Sequence, residues 1–273
     1  LIDQYAVVGN PIAHSKSPQI HKLFAEQTGQ RIKYTKNLVA IGDFHNEVSA
    51  FFNKGGRGLN VTVPFKQLAF DFASNTTSRA KVAKAVNTLT LNQDGLTLGD
   101  NTDGIGLVND IRFNLGWDLK GKRILVLGAG GAVQGILQAL LDLHPQHIVV
   151  ANRSVDKALD VAKQFSESGY ILGCSLDVLD GQEFDVVING TSASLTGSGL
   201  SLPQSIVSSP SSLCYDLMYG SKPTPFLTWA ADIGAVTSDG LGMLVEQAAE
   251  AFFIWRGVRP ETQSVVQKVR SSI

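Results

Sequence analysis

The chain has 273 residues, of which 23 are basic and 24 acidic, so its formal net charge is -1. This length fits one large or two medium domains, and the lack of a basic excess argues against a dedicated nucleic-acid-binding protein. Its two cysteines, Cys174 and Cys214, are too few for a disulfide framework or a four-ligand zinc site. We therefore expect a reducing compartment and no metal.

Neither a signal peptide nor a membrane span is predicted. Residues 1–9 lack a basic region followed by an apolar run. Residues 124–141 carry no charge, but glycines and glutamines interrupt them, so a strand, a tight turn and a buried helix explain them better. We therefore expect a cytoplasmic protein that does not bind membranes.

Short β-rich runs alternate with helix-like stretches along the chain. The predicted strands are 5–9, 32–38, 58–61, 124–127, 147–151, 185–188 and 213–215. The predicted helices are 17–28, 43–53, 67–73, 131–142, 155–165 and 241–255. This alternation predicts an α/β protein with parallel sheets and helices on both faces. We place a domain junction near residues 103–122, through a helix at 104–115, and a loop with one possible helical turn at 200–212.

Three polar clusters follow strands in the N-terminal half. In the first, Ser17 before Pro18 is typical of a helix N-cap, which leaves Ser15 unexplained. In the second, Asn60 and Thr62 alternate with valines and therefore point the same way. Lys66 follows at a predicted helix start, where the helix dipole disfavours a cation.

The third cluster runs through residues 85–88 and 99–104 and contains Asn87 and Asp103. Asp103 also suits the cap of the next helix. Neutral hydrogen-bonding side chains with one lysine and one aspartate suit a polyhydroxylated small molecule, because ligands bind at strand ends of open parallel sheets. A lysine–aspartate pair can move the proton that accompanies hydride transfer.

A glycine-rich turn joins the predicted strand 124–127 to the predicted helix at 131. Such a turn lets the backbone approach a pyrophosphate, and the helix N-terminus favours its negative charge. The pattern is a variant of the dinucleotide fingerprint, because Val133 stands where glycine or alanine is usual. An ordinary strand–helix corner is the alternative.

The end of the next strand indicates the cofactor. NAD enzymes usually place a carboxylate there, but this chain has Asn152, Arg153 and Ser154, with Lys157 one turn later. Arg153 can grip a 2′-phosphate bidentately, and Ser154 can donate to it. A helix cap at Ser154 and a solvated Arg153 are the alternative, but the pattern favours NADP. From the residues alone, we predict an NADP-linked dehydrogenase acting on a polyol-like or hydroxy-acid substrate.

Several motifs together resemble one family. They are residues 9–18, 60–66, 85–88, 101–104, 128–135, 152–154, 222–226 and 240–247. Over essentially its whole length, the chain resembles the shikimate dehydrogenases, NADP-dependent enzymes of the aromatic amino-acid and chorismate pathway. The resemblance implies reversible reduction of 3-dehydroshikimate to shikimate with NADPH.

The resemblance also implies a domain plan. Residues 1–103 would form an α/β substrate-binding domain and residues 104–238 a Rossmann-type, doubly wound NADP-binding domain, with a cleft between them. The C-terminal helices, residues 239–273, would return to the substrate domain.

The resemblance assigns residue roles as well. Lys66 and Asp103 would be the catalytic acid/base pair. The substrate-binding residues would be Ser15, Ser17, Asn60, Thr62, Lys66, Asn87, Asp103, Tyr219 and Gln247. The cofactor-binding residues would be Gly128, Ala129, Gly130, Gly131, Ala132, Asn152, Arg153, Ser154, Lys157, Asn189, Thr191, Met218 and Gly240. Gln247 and Met218 also suit plain core packing.

The chain departs from the family pattern at a few positions. Ser154 stands where threonine is common, Lys84 replaces a frequent glycine, and Gly190 replaces a frequent alanine. Val133 and Gln134 differ from the usual small and polar residues after the glycine turn. None of these changes involves Lys66 or Asp103.

Three other interpretations remain open at this point. The chain could be a quinate/shikimate dehydrogenase with relaxed cofactor use, a non-catalytic NADP-binding regulatory protein, or another two-domain NADP enzyme such as a methylenetetrahydrofolate dehydrogenase. The sequence also leaves open whether the protein is a monomer or a homodimer.

Overall fold

The computed structural model describes residues 2–191 and 201–273, which form two compact units. The first unit runs to Gly106 and resumes at Leu244–Ser272, and the second spans Leu107–Met243. The strands are β1 (Asp3–Gly9), β2 (Ile32–Leu38), β3 (Gly56–Val61), β4 (Asn75–Thr76), β5 (Thr88–Leu91), β6 (Thr97–Asp100), β7 (Arg123–Leu127), β8 (His147–Asn152), β9 (Ile171–Ser175), β10 (Val186–Asn189), β11 (Leu213–Asp216) and β12 (Val236–Asp239). The helices are α1 (Ser17–Thr28), α2 (Phe44–Asn53), α3 (Lys66–Phe72), α4 (Ser78–Ala83), α5 (Asp103–Asn109), α6 (Gly131–Leu141), α7 (Val155–Phe165), α8 (Pro225–Asp232), α9 (Leu241–Arg256) and α10 (Gln263–Arg270).

The sheet of the first unit is mixed, with the strand order β2-β1-β3-β5-β6-β4. β1 pairs in parallel with β2 and β3, whereas β5 is antiparallel to both β3 and β6. The prediction of a parallel sheet is therefore correct for the pairings of β1 with β2 and β3 and of β4 with β6, and wrong for β5. The reason is the β5–β6 hairpin, whose turn is closed by the Asn92 N–H bond to Leu96 O at 2.9 Å. Its two four-residue strands are too short to show a clear period.

The second unit confirms the predicted doubly wound Rossmann-type sheet. Its strands lie in the order β12-β11-β10-β7-β8-β9, and every pairing is parallel. The central strands are apolar on both faces, as expected for strands that helices cover on each side. This arrangement places the carboxyl ends of β7, β8, β10 and β11 along one edge, where ligands bind in such sheets.

Several predicted segments differ in detail. The helix predicted at 104–115 is α-helical only to Asn109 and continues as a π-helical turn over Asp110–Asn114. The predicted loop at 200–212 contains a 3-10 turn at Gln204–Ile206, and Leu200 lies outside the described residues. Lys84 ends α4 with a left-handed φ of 48°, which explains why a glycine suits this position.

Two further properties bear on the kind of protein. Across residues 2–191 and 201–273, no helix combines the length and the apolar character that a membrane crossing requires. In the same ranges, no three or more histidine, cysteine, aspartate or glutamate residues are grouped so as to hold a metal ion.

Candidate active site

The first polar cluster lies at the N-terminus of α1. Lys16 occupies the N-cap position and Ser17 is the first helical residue, so the expectation that Ser17 caps the helix is wrong. Instead, the Ser17 N–H donates to Ser15 Oγ at 3.3 Å, and the Ser15 hydroxyl donates to Ser17 Oγ at 3.2 Å. Two hydroxyls are thus held together where the helix dipole favours an anion.

Tyr34 on β2 links this cluster to the next, and sequence reasoning missed it. Its hydroxyl donates to Asn60 Oδ1 at 2.7 Å. Burial raises the pKa of Tyr34 well above its usual value, and a hydrogen bond from Ser17 opposes part of that rise. The ring stacks on His21 with centroids 4.1 Å apart, and burial lowers the pKa of His21 to about 3, so that imidazole is neutral. An aromatic residue on a strand usually indicates packing, so the sequence carried no signal for this role.

Two buried asparagines form the centre of the site. Asn60 Nδ2 donates to Asn87 O at 3.3 Å and to Thr88 Oγ1 at 3.2 Å. Asn87 Nδ2 in turn donates to Asp103 Oδ1 at 2.8 Å and to Gln247 Oε1 at 3.4 Å. Gln247 on α9 therefore belongs to a polar network. The alternative, that it is only a packed amide on an apolar helix, does not include this hydrogen bond.

The Lys66 ammonium forms an ion pair with Asp103 Oδ2. Lys66 begins α3 and Asp103 begins α5, and their side chains are only 17% and 7% exposed. The carboxylate thus supplies the local reason for a cation at a helix N-terminus. Because Asn87 holds Asp103 Oδ1 and the Asp103 N–H donates to Asn101 Oδ1 at 3.1 Å, the second carboxylate oxygen is directed at Lys66.

Thr62 and Tyr219 stand apart from this network. Thr62 lies just beyond β3, and in the described chain its hydroxyl has no hydrogen-bond partner. Tyr219 belongs to the second unit, where burial and the nearby Asp239 carboxylate raise its pKa. The first unit therefore gathers these predicted residues into one hydrogen-bonded cluster: Ser15, Ser17, Asn60, Lys66, Asn87, Asp103 and Gln247.

The glycine turn of the second unit has the geometry of a phosphate cradle. Gly128 has a left-handed φ of 104°, and its N–H donates to Ala151 O at 2.8 Å. Gly130 then caps α6, and a Cβ added at Gly130 or Gly131 would meet no atom within 4 Å. This open space beside the first N–H groups of α6 leaves room for a pyrophosphate to approach the backbone up to Ala132.

A cavity of about 220 Å³ lies beside this glycine turn. Its lining consists of Ala129, Gly130, Asn152, Arg153, Ser154 and Lys157. Ser154 stands at the N-cap of α7 but makes no capping hydrogen bond through its hydroxyl, so the helix-cap explanation is wrong. In the ranges that the structure describes, Arg153 and Lys157 are exposed and make no ion pair. These side chains fit the 2′-phosphate of NADP.

The remaining predicted cofactor residues lie on the other side of the glycine turn. Asn189 ends β10, and Thr191 follows it two residues later. Met218 follows β11, and Gly240 follows β12. A Cβ at Gly240 would lie 2.2 Å from Leu217 O, so only glycine fits there.

Two departures from the family pattern compensate each other. A Cβ at Gly190 would lie 2.5 Å from Cγ2 of the fully buried Val133 and 3.3 Å from Leu127 O. The glycine at position 190 therefore makes room for the valine at 133. We expect Gly190→Ala to lower the free energy of unfolding by about 1–3 kcal/mol through overpacking. The double variant Val133→Ala/Gly190→Ala should unfold at a higher denaturant concentration than Gly190→Ala, and equal midpoints would contradict the compensation.

Three family models match the chain in sequence order. The shikimate dehydrogenase substrate binding domain matches residues 7–89. The shikimate/quinate 5-dehydrogenase model matches residues 110–197, and the shikimate 5′-dehydrogenase C-terminal domain matches residues 240–270.

Relatives and solved structures agree with these matches. A shikimate dehydrogenase (NADP(+)) of Cellvibrio japonicus is 55% identical over 100% of this chain and 99% of its own length. The corresponding protein of Methylococcus capsulatus is 52% identical over 98% of this chain and 96% of its own length. The crystal structure of shikimate 5-dehydrogenase from Thermus thermophilus, in complex with NADP(H) and shikimate, has a TM-score of 0.88 at 28% identity and covers 100% of both chains.

Proposed function

Because the chain belongs to the shikimate dehydrogenase family, we propose that its first unit binds shikimate and its second unit binds NADP, with Lys66 and Asp103 as the acid/base pair. The chain is an NADP-dependent oxidoreductase that interconverts 3-dehydroshikimate and shikimate. The observation that carries the proposed roles is the buried ion pair of Lys66 with Asp103 Oδ2, while Asp103 Oδ1 accepts a hydrogen bond from Asn87.

Ser15 and Ser17 bind the substrate carboxylate. Their hydroxyls lie together at the N-terminus of the twelve-residue helix α1, where backbone N–H groups and the helix dipole favour negative charge. Binding turns each hydroxyl from its protein partner to the carboxylate, so the substrate replaces hydrogen bonds that the free site makes internally.

Thr62, Asn87, Asp103 and Gln247 bind the ring hydroxyls, and Asn60 supports them. A polyhydroxylated ring needs donors and acceptors in fixed directions, and the linked amides of Asn60, Asn87 and Gln247 supply both. The Thr62 hydroxyl, which has no partner in the described residues, is available to a further ring oxygen.

Lys66 and Asp103 move the proton. In reduction, the Lys66 ammonium donates a proton to the carbonyl oxygen and becomes a neutral amine. In oxidation, that amine takes the proton back from the hydroxyl. NADPH supplies the hydride when it is bound. Asp103 holds Nζ in place, because Asn87 orients its carboxylate and Asn101 accepts a hydrogen bond from its backbone N–H.

On the second unit, the turn from Gly128 to Ala132 holds the pyrophosphate, and Arg153, Ser154 and Lys157 bind the adenosine 2′-phosphate with Asn152 beside them. The ribose and nicotinamide would be lined by Asn189, Thr191, Met218 and Gly240. Tyr219 would bind the substrate.

A spectrophotometric assay of purified protein tests the proposal. Shikimate and quinate are each supplied with NADP and with NAD, and NADPH or NADH formation is followed. We expect rapid turnover with shikimate and NADP, and much slower turnover with the other three pairs. Equal rates with quinate would indicate a quinate/shikimate dehydrogenase. NADP binding without turnover of any pair would contradict the proposal and favour a non-catalytic protein.

A further inference from the structure

Three adjacent parallel strands of the second unit end in polar residues that are paired in register. Asn189 ends β10, Asp216 ends β11 and Asp239 ends β12, with Asn189 opposite Asp216 and Asp216 opposite Asp239. Carboxyl ends of strands in open parallel sheets are ligand-binding positions. Asp216 has no role in the site described above, although it bonds two predicted cofactor residues, Asn189 and Met218.

Asp216 is fully buried and accepts hydrogen bonds from three separate segments. Its Oδ1 accepts from the Met218 N–H at 3.0 Å. Its Oδ2 accepts from Asn189 Nδ2 at 3.2 Å and from the Thr224 hydroxyl at 2.6 Å. A buried carboxylate needs such donors, and here they tie the turn after β11 to the end of β10.

Through Asn189, the carboxylate also controls Thr191. Because Asn189 Nδ2 is directed at Asp216, its Oδ1 faces the other way and accepts from the Thr191 N–H at 3.1 Å and from the Thr191 hydroxyl at 2.8 Å. One carboxylate therefore sets the orientation of Asn189, the position of Thr191 and the backbone at Met218.

This cluster lies against the glycine turn on the side away from Arg153. The Gly190 N–H donates to Leu127 O at 2.8 Å, and a Cβ at Gly128 would lie 3.2 Å from Gly190 O and 3.3 Å from Thr191 Cγ2. In the strand order, β10 and β11 flank β7 on one side and β8, which leads to Arg153, flanks it on the other. A dinucleotide with its pyrophosphate on the turn and its 2′-phosphate at Arg153 must extend its other half over β10 and β11.

We propose that Asp216 is the positioning residue for the nicotinamide half of NADP, acting through Asn189, Thr191 and Met218. The inference rests on the proposed function, because it takes Arg153 as the 2′-phosphate end. Asp216 itself does not touch the cofactor. Its carboxylate holds the three neighbours in the arrangement that receives the nicotinamide and its ribose.

The position requires a carboxylate, which accepts hydrogen bonds on both oxygens, whereas an amide has one donating end. If Asp216→Asn keeps its oxygen on the Met218 N–H, its NH2 faces the NH2 of Asn189. If the amide turns over, its NH2 faces the Met218 N–H. Flipping Asn189 instead would direct its NH2 at the Thr191 N–H, so every arrangement opposes two donors.

The test compares two probes by calorimetry on the full chain: NADP, and 2′,5′-ADP, which has the adenosine and the 2′-phosphate but no nicotinamide. We expect Asp216→Asn to raise the Kd for NADP at least about fivefold, as for a buried polar group left unpaired. The Kd for 2′,5′-ADP should stay within about twofold of wild type. Asp177→Asn, which removes an exposed carboxylate of the same unit, should change neither value.

A swap variant makes the test independent of the stability of Asp216→Asn. In Asn189→Asp/Asp216→Asn, the amide introduced at 216 donates to the carboxylate introduced at 189, which still accepts from Thr191, while the amide oxygen accepts from Met218. Because Asn189 is itself predicted to line the cofactor, we expect the swap to fold and to bind NADP at least about threefold more tightly than Asp216→Asn, without full recovery of the wild-type affinity.

Each outcome separates the inference from the proposed function. Equal losses for NADP and 2′,5′-ADP, an unchanged NADP affinity, or a swap that binds as weakly as Asp216→Asn would overturn the role of Asp216. If Asp216→Asn does not fold, a swap variant that folds and binds NADP supports the inference. A swap variant that does not fold counts against it. Failure of the wild-type protein to oxidise shikimate with NADP would instead contradict the proposed function, because the binding ratio does not depend on turnover.

Discussion

Lys66→Ala is expected to lower kcat for shikimate oxidation with NADP by at least about 100-fold, the lower end for loss of a general acid–base group. The variant removes the lysine nitrogen that, in the described part of the site, pairs with Asp103, so the hydroxyl proton loses the amine that would take it in oxidation. The affinity for shikimate should change far less, because the carboxylate and hydroxyl contacts of Ser15, Ser17 and Gln247 remain.

Two variants serve as controls for Lys66→Ala. Lys81→Ala removes an exposed lysine of α4 in the same unit and should leave kcat unchanged. Lys66→Arg keeps a cation beside Asp103 but cannot release its proton at neutral pH, so it should be nearly as slow as the alanine variant. Recovery of wild-type turnover in Lys66→Arg would show that charge alone is needed, and wild-type turnover in Lys66→Ala would remove Lys66 from the mechanism.

Arg153→Ala is expected to raise KM for NADP about tenfold or more, as for loss of a charge-assisted bidentate contact, while KM for NAD changes little. The side chain is exposed beside the cavity next to the glycine turn, and it makes no ion pair in the described residues. Its truncation therefore disturbs no packing, and the rise in KM for NADP measures the lost contact with the 2′-phosphate.

Lys163→Ala at the other end of α7 is the matched control, because it removes an exposed cation from the same helix. That variant should keep the wild-type preference for NADP. An equal rise in KM for NADP and for NAD in Arg153→Ala would mean that Arg153 supports the structure of the turn and does not bind the 2′-phosphate.

Periodic segments could be predicted from the sequence with accurate bounds. The strand at 32–38 and the helices at 17–28 and 155–165 have the predicted bounds, because each shows its period over several residues. The β5–β6 hairpin was missed, because its strands are short and polar residues surround them. The prediction of parallel sheets is incomplete for the first sheet for the same reason, since β5 of this hairpin pairs antiparallel with β3 and with β6.

The candidate site could be predicted from the sequence where the type of a single residue indicates what it binds. Position 152 carries an asparagine instead of a carboxylate, and Arg153 and Ser154 follow it, so the sequence predicts NADP. The NADP-dependent relatives confirm that cofactor. Tyr34 and Asp216 were missed for another reason. Their roles depend on partners that are distant in sequence, such as Asn60 for Tyr34 and Asn189 for Asp216, so only the folded chain brings these groups together.

A double-mutant cycle on Lys66 and Asp103 tests whether these two residues act as one unit in proton transfer. The measurement is kcat for shikimate with NADP in wild type, Lys66→Ala, Asp103→Asn and the double variant. Asp103→Asn keeps an oxygen for the Asn87 hydrogen bond and removes the charge that holds Lys66. We predict that kcat of the double variant lies within about threefold of kcat of the slower single variant, as for residues that act as a unit. If the two single losses multiply in the double variant, Lys66 and Asp103 act independently and do not form an acid/base pair.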